Sequence, residues 1–262
     1  CSIMPIQALD NSGSGTVADI ADGIDFARQN GAHVINMSFG GSAWTDVIKK
    51  ACDDAEAAGL VLVAASGNDG AGTVLYPAGY DSVVAVGAVD YDGELTWYSN
   101  YGLGQELVAP GGDTKVDKNN DGHPDGVLQM TYDQMYTPGV LPGFPEALAN
   151  VTTFADVFLQ GTSMACPHVA GLAALVIASG YKNNDDVRKK LRGSATDRGL
   201  PGYDVEYGYG LINCEGALQP GVPQVDECGS CAQLSLAELA VYFALFFGAY
   251  GFIFVKRRFP RR

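Results

Sequence analysis

Leu159-Gln160-Gly161-Thr162-Ser163-Met164-Ala165-Cys166-Pro167-His168-Val169-Ala170-Gly171-Leu172-Ala173-Ala174-Leu175 places a hydroxyl, flanked by small residues, where a long apolar helix begins. Gly161 and Thr162 let the chain turn sharply, and Ala165, Ala170, Gly171, Ala173 and Ala174 let the helix approach its neighbours closely. A serine at that point meets the positive end of the helix dipole and free backbone N–H groups, a setting that favours a developing oxyanion. On spacing alone the alternative is that Thr162 and Ser163 cap a core helix.

Upstream, strands and helices alternate. Ile3 to Leu9 reads as a strand and the Asp10 to Gly15 run as the loop that closes it. Val17, Ile20, Ala21, Ile24 and Ala27 then recur at helical spacing, with Gly31 as the stop. His33 to Ser38 is a short β-rich run, Val47 to Ala58 a second helix ending at Gly59, and Leu60 to Ala65 a continuously apolar run. Continuous apolarity is expected of a strand covered on both faces of a parallel sheet, and Val83 to Val89 is another. The alternation implies right-handed βαβ crossovers and a doubly wound, mostly parallel α/β sheet flanked by helices. A chain of 262 residues, 47% hydrophobic with 34 glycines, suits one large core of that kind. The formal charge of −14 argues against nucleic acid as a partner. Six scattered cysteines do not make a disulfide framework.

Gly161-Thr162-Ser163-Met164-Ala165 followed by Pro167-His168-Val169-Ala170-Gly171 resembles the nucleophile motif of the subtilisin-like serine proteases, or subtilases. The resemblance implies that Ser163 attacks a scissile carbonyl and that Pro167 and His168 are structural. Asn36-Met37-Ser38-Phe39-Gly40-Gly41 is similar to the subtilase edge segment, so Ser38, Phe39 and Gly40 are expected to pair with a substrate backbone by strand addition. Ala64-Ala65-Ser66-Gly67-Asn68-Asp69-Gly70 is similar to the segment carrying the oxyanion-hole asparagine. That makes Asn68 the oxyanion donor, with Ala65, Ser66 and Gly67 beside the substrate. Without the resemblance, Gly67 to Gly70 would read as a turn. Leu75 falls where relatives form the base of the first specificity pocket, which a leucine would make shallower. The likeness covers residues 1–218, through the closing Tyr207 to Asn213 segment.

Residues 112–160 depart from the compact family members as an insert. Within it, Asp117-Lys118-Asn119-Asn120-Asp121-Gly122-His123-Pro124-Asp125 places oxygen side chains at the first, third, fifth and ninth positions and glycine at the sixth. That spacing suits a hard cation, with the His123 carbonyl at the seventh position, and predicts a structural calcium site of Asp117, Asn119, Asp121, His123 and Asp125. Leu128 at the twelfth position excludes an EF-hand; the loop looks more like those of thrombospondin-type repeats. The alternative is an Asn/Asp/Gly-rich surface turn.

Residues 219–233 read as a linker, and the 234–255 stretch as a transmembrane helix long enough to cross a bilayer once. The basic tail, 256–262, predicts a cytoplasmic end and an outward-facing domain. The tail also looks like bacterial sorting tails, which implies release after cleavage by a sorting protease. A propeptide is a further expected partner, beside a protein or peptide substrate.

A serine nucleophile needs a general base and an orienting carboxylate. His168 lies five positions after Ser163, about 140° around the helix and about 7.5 Å along it. His33 begins a strand, and His123 sits in the cation loop. The subtilase Asp-Ser/Thr-Gly and His-Gly-Thr-His segments do not occur. Two expectations follow: a serine endopeptidase whose acid and base lie on an N-terminal part outside this fragment, inactive alone, or an inactive calcium-stabilised surface binding module.

Overall fold

The computed structural model describes residues 1–10, 13–132, 154–219 and 252–256. Most of the linker, residues 234–251 of the expected membrane span, the end of the basic tail, Cys228 and Cys231 lie outside the described residues.

The main sheet has six strands in the order β1 (Ser2–Ile6), β8 (Phe252–Lys256), β2 (Val34–Met37), β3 (Val61–Ala65), β4 (Val83–Val89), β5 (Gln105–Pro110). Strands β2 to β5 are mutually parallel, whereas β8 runs antiparallel to both its neighbours. A doubly wound, mostly parallel α/β sheet is therefore the architecture. Residues 252–255 correct one expectation: they form a strand, not the end of a helix. Phe252, Ile253, Phe254 and Val255 are aromatic or β-branched, types that suit a pleated strand, and here both backbone edges of the segment are paired. No helix among the described residues is long and apolar enough to cross a membrane.

Period-two geometry explains the apolar runs. Ile35, Leu62, Ala64, Val83 and Ala85 join α1 (Val17–Gln29) and α2 (Asp46–Ala57) in one core. Their neighbours Val34, Val61, Val63, Val84 and Val86 join α3 (Thr162–Ala178) in a second. Because both faces are covered, neither set can be polar. Ala165, Ala170, Ala173 and Ala174 are buried in the second core, and their small side chains let α3 lie close over β2 to β5. Thr16 caps α1 by accepting from the Asp19 N–H, and Asn183 caps α4 (Asn184–Ser194) by accepting from the Asp185 N–H. A short α5 (Cys214–Leu218) follows.

The insert contributes β6 (Val127–Tyr132) and β7 (Phe154–Leu159), an antiparallel ribbon pairing Val127 with Leu159 and Tyr132 with Phe154. Its return strand leads directly into α3. At the opposite, amino end of the sheet, buried Glu106 accepts from Arg188 Nε at 2.8 Å and from Arg192 Nε at 2.6 Å. Arg188 also donates to the carbonyls of Asp81 and Val83, tying α4 to the beginning of β4.

Candidate active site

The carboxyl ends of β2 and β3 and the amino end of α3 converge, the place where parallel α/β sheets gather ligands. The helix begins at Gly161, whose φ of 146° lies in a region open to glycine, and no side chain caps it. Tyr98 holds the approach: its hydroxyl donates to the Gly112 carbonyl at 2.7 Å and accepts from the Gly161 N–H at 3.0 Å. Burial pushes the Tyr98 pKa up to about 12, so this phenol stays protonated as a clasp.

The hydroxyls of Thr162 and Ser163 do not cap the helix. Ser163 Oγ donates to the Ser38 carbonyl at 2.9 Å, and Ser38 Oγ donates in return to the Ser163 carbonyl at 2.9 Å. Buried Asn36 supports this pair through Nδ2, which donates to Ser38 Oγ at 2.9 Å. Thr162 turns toward Asn68, whose Oδ1 accepts from the Thr162 N–H at 2.8 Å and from Thr162 Oγ1 at 2.9 Å. Both lone-pair positions of that carbonyl are thereby occupied, leaving the exposed Asn68 to offer its NH2 group. With the Thr162 N–H spent on Asn68 and the Met164 and Ala165 N–H groups on the Gly161 carbonyl, the Ser163 N–H and the Asn68 N–H2 are the donors left at this helix terminus. Such donors favour an oxyanion.

Ser38, Phe39 and Gly40 continue β2 out of the sheet. Gly41 then pairs with Tyr76, each donating its N–H to the other's carbonyl, at 2.8 and 2.9 Å. Leu75 stands between this edge and Gly67. Its Cβ lies 3.1 Å from where a Cβ on Gly40 would be, and its Cδ1 lies 2.8 Å from where one on Gly67 would be. Ala65 and Ser66 are buried, and their sheet or backbone bonds are internal: Ser66 N–H donates to Val86, its carbonyl accepts from Leu75, and its Oγ donates to Asn100. The side chains of Ala65 and Ser66 are therefore enclosed by the protein. Gly67 is also buried.

The three histidines are elsewhere. His168 Nδ1 lies 2.8 Å from the Met164 carbonyl, and burial lowers its pKa although that contact opposes the shift. His123 stacks on Phe158, with ring centroids 5.5 Å apart. His33 precedes β2, at the amino end of the sheet. Cys166, also near Ser38, is buried with its thiol pKa pushed up to about 12, which removes it as a competing nucleophile.

In the 117–125 loop the carboxylates fold inward on the backbone. Asp117 accepts from the N–H groups of Asp121 at 3.2 Å and Gly122 at 3.0 Å, Asn119 from Asp121 at 2.9 Å, and Asp121 from His123 at 2.8 Å. Asp125 Oδ2 accepts from the Lys118 N–H at 2.6 Å, while its Oδ1 is buried with no partner. Among the described residues no group of three or more His, Cys, Asp or Glu is arranged to hold a metal.

Sequence reasoning singled out Ser163 and Asn68 but missed Thr162, Asn36 and Tyr98 as their supports. Thr162 was read only as a turn or capping residue beside Ser163; Asn36 and Tyr98 carry no spacing signal.

A family profile described as "Subtilase family" matches residues 1–210. Subtilisin DY of Bacillus licheniformis is 40% identical over 224 residues, covering 83% of this chain and 68% of that protein. The thermophilic serine proteinase of Bacillus sp. (strain AK1) is 37% identical over 216 residues, covering 82% of this chain and 45% of that protein. The chain thus spans less than half of that second relative's length. Among solved structures, a lanthipeptide protease superposes with a TM-score of 0.65 at 30% identity, over 81% of this chain and 69% of its own. A protease from Pseudoalteromonas arctica PAMC 21717 gives 0.64 at 31% identity, over 78% and 59%. Fold, strand-end site and sequence profile agree, and the chain belongs to the subtilase family.

Proposed function

We propose that the chain is the later part of a serine endopeptidase domain, with the general base and its orienting carboxylate supplied by residues outside 1–262. The observation that carries this reading is the double clamp of Thr162 on Asn68 Oδ1, which aims a neutral N–H2 donor beside a hydroxyl free of capping duty. Ser163 Oγ would attack the scissile carbonyl as its proton passes to the base. The carbonyl oxygen, now carrying the charge, would be held by Asn68 Nδ2 and the Ser163 N–H; one such donor is worth about 3 kcal/mol. Ser38 to Gly40 would pair with the substrate backbone, and Leu75 would close the pocket for the residue before the scissile bond. A secreted enzyme acting on proteins or peptides is the setting this reading favours.

A fluorophosphonate probe tests it. Protein extended upstream of Cys1 should be labelled on Ser163, whereas residues 1–262 alone and an extended Ser163→Ala variant should not. Failure to label the extended protein would favour the second reading, an inactive binding module. In either case we propose that Asp117, Asn119, Asp121, Asp125 and the His123 carbonyl hold calcium. The buried, partnerless Asp125 Oδ1 is the group such a cation would satisfy.

A further inference from the structure

Asn68 is exposed, and so are Asp69, Gly70, Gly72 and Thr73 around it. Little apolar packing fixes this loop, yet an oxyanion donor must stand within about 2.7–3.1 Å of the charge it serves. The Thr162 clamp sets the direction of the Asn68 amide but not the position of its backbone.

Asn100 does that. It is fully buried, and its N–H donates to the Gly67 carbonyl at 2.9 Å. Its Oδ1 accepts from the Asp69 N–H at 2.8 Å and the Ala71 N–H at 3.1 Å, and its Nδ2 donates to the Thr73 carbonyl at 3.0 Å. Its carbonyl accepts from Ser66 Oγ at 3.0 Å. Gly67 and Asp69, the two neighbours of Asn68, are therefore both fastened to one side chain and its backbone. The fit is close: a Cβ on Gly67, whose φ is +118°, would lie within 2.3 Å of Asn100 Nδ2.

We propose that Asn100 is the positioning residue of the oxyanion site, bracketing Asn68 so that its amide meets the reacting carbonyl in register with Ser163. The proposal rests on the oxyanion reading of Asn68. A purely structural brace would lower stability too, so the decisive measurement is coupling between the two asparagines.

In the protein extended upstream of Cys1, kcat and KM on a fixed peptide substrate are measured for Asn68→Ala, Asn100→Ala, Asn100→Asp and the two double variants. Asn68→Ala should lower kcat about 10²–10³-fold. Asn100→Ala should lower kcat about 30-fold or more with KM little changed, because a misplacement of about 1 Å can cost about 10²-fold. In the Asn68→Ala background the same change should cost less than about threefold, since the group it positions is gone. Asn100→Asp keeps the acceptor for Asp69 and Ala71 but not the donor to Thr73, and should fall between. It also carries the comparison if Asn100→Ala does not fold.

Equal losses in both backgrounds, or an unchanged kcat in Asn100→Ala, would overturn the positioning role alone. An unchanged kcat in Asn68→Ala would overturn the oxyanion reading and this proposal with it.

Discussion

Replacing Leu75 by glycine should deepen the pocket beneath the edge segment and shift preference toward large side chains before the scissile bond. The isobutyl group occupies the gap between Gly40 and Gly67, with Cδ1 3.5 Å from where a Cβ on Gly40 would lie. Removing four carbons at about 0.8 kcal/mol each would open room worth about 3 kcal/mol to an incoming side chain. Leu75 is only partly buried, so about half of that, about 1.5 kcal/mol, is the fair expectation, or about tenfold. The backbone should hold its place, because Leu75 N–H donates to Ser66 and its carbonyl accepts from Gly79, both at 2.9 Å. Added backbone freedom should cost about 1 kcal/mol of stability. The assay compares kcat/KM for two peptides differing only in alanine or phenylalanine at that position, using protein extended upstream of Cys1. A phenylalanine-to-alanine ratio that rises less than about twofold in Leu75→Gly would refute the assignment of Leu75 as the pocket floor.

Calcium at about 100 times its dissociation constant should stabilise residues 1–262 by about 2.7 kcal/mol, read as a higher Tm that Asp121→Ala abolishes; no shift on adding calcium sinks the cation site. Glu106→Gln should cost about 3 kcal/mol, about 6–12 °C in Tm, by removing the buried carboxylate shared by the Arg188 and Arg192 guanidiniums and leaving Arg188 only its longer pair with Glu56. A Tm within about 2 °C of the parent would contradict that account. For His168, burial depresses the folded pKa below the ordinary 6.5, so on acidification the unfolded chain takes up the proton first. Its share of stability is intact above pH 6.5 and is lost as pH falls toward the folded value. Denaturant midpoints measured down to about pH 5 should fall less steeply in His168→Leu than in the parent; identical slopes would count against a buried neutral imidazole.

The parallel core was legible because both its faces are apolar: Leu60 to Ala65 and Val83 to Val89 needed no partner to be recognised as strands, and β4 spans Val83–Val89 as expected. The hairpin-like ribbon of the insert was not legible. Its register joins Val127 to Leu159, and such pairing leaves no local period in an aromatic, proline-rich stretch. In the site, motif spacing found Ser163 and Asn68, but their supports are contacts across long separations. Thr162 meets Asn68 94 positions away, and Asn100 meets Asp69 31 positions away. The 252–255 stretch misled because a continuous apolar run serves equally for a membrane helix and for an interior strand; length decided in favour of the first, whereas these four residues pair as a strand.

The two ends of the sheet are fastened by different chemistry. At the amino end the ties are ionic, Glu106 against two arginines, whereas around Ser163 every tie described is between uncharged groups: Thr162 with Asn68, Ser38 with Ser163, Asn36 with Ser38. Dissolved electrolyte screens exposed ion pairs strongly but buried ones much less, and the Glu106 carboxylate is only 5% exposed, with Arg192 the more open of its two partners at 32%. Brine should therefore reach the far end only weakly, through the Arg192 side of that tie, and leave the alignment of the reactive end undisturbed, so that neither endurance nor chemistry depends strongly on the medium.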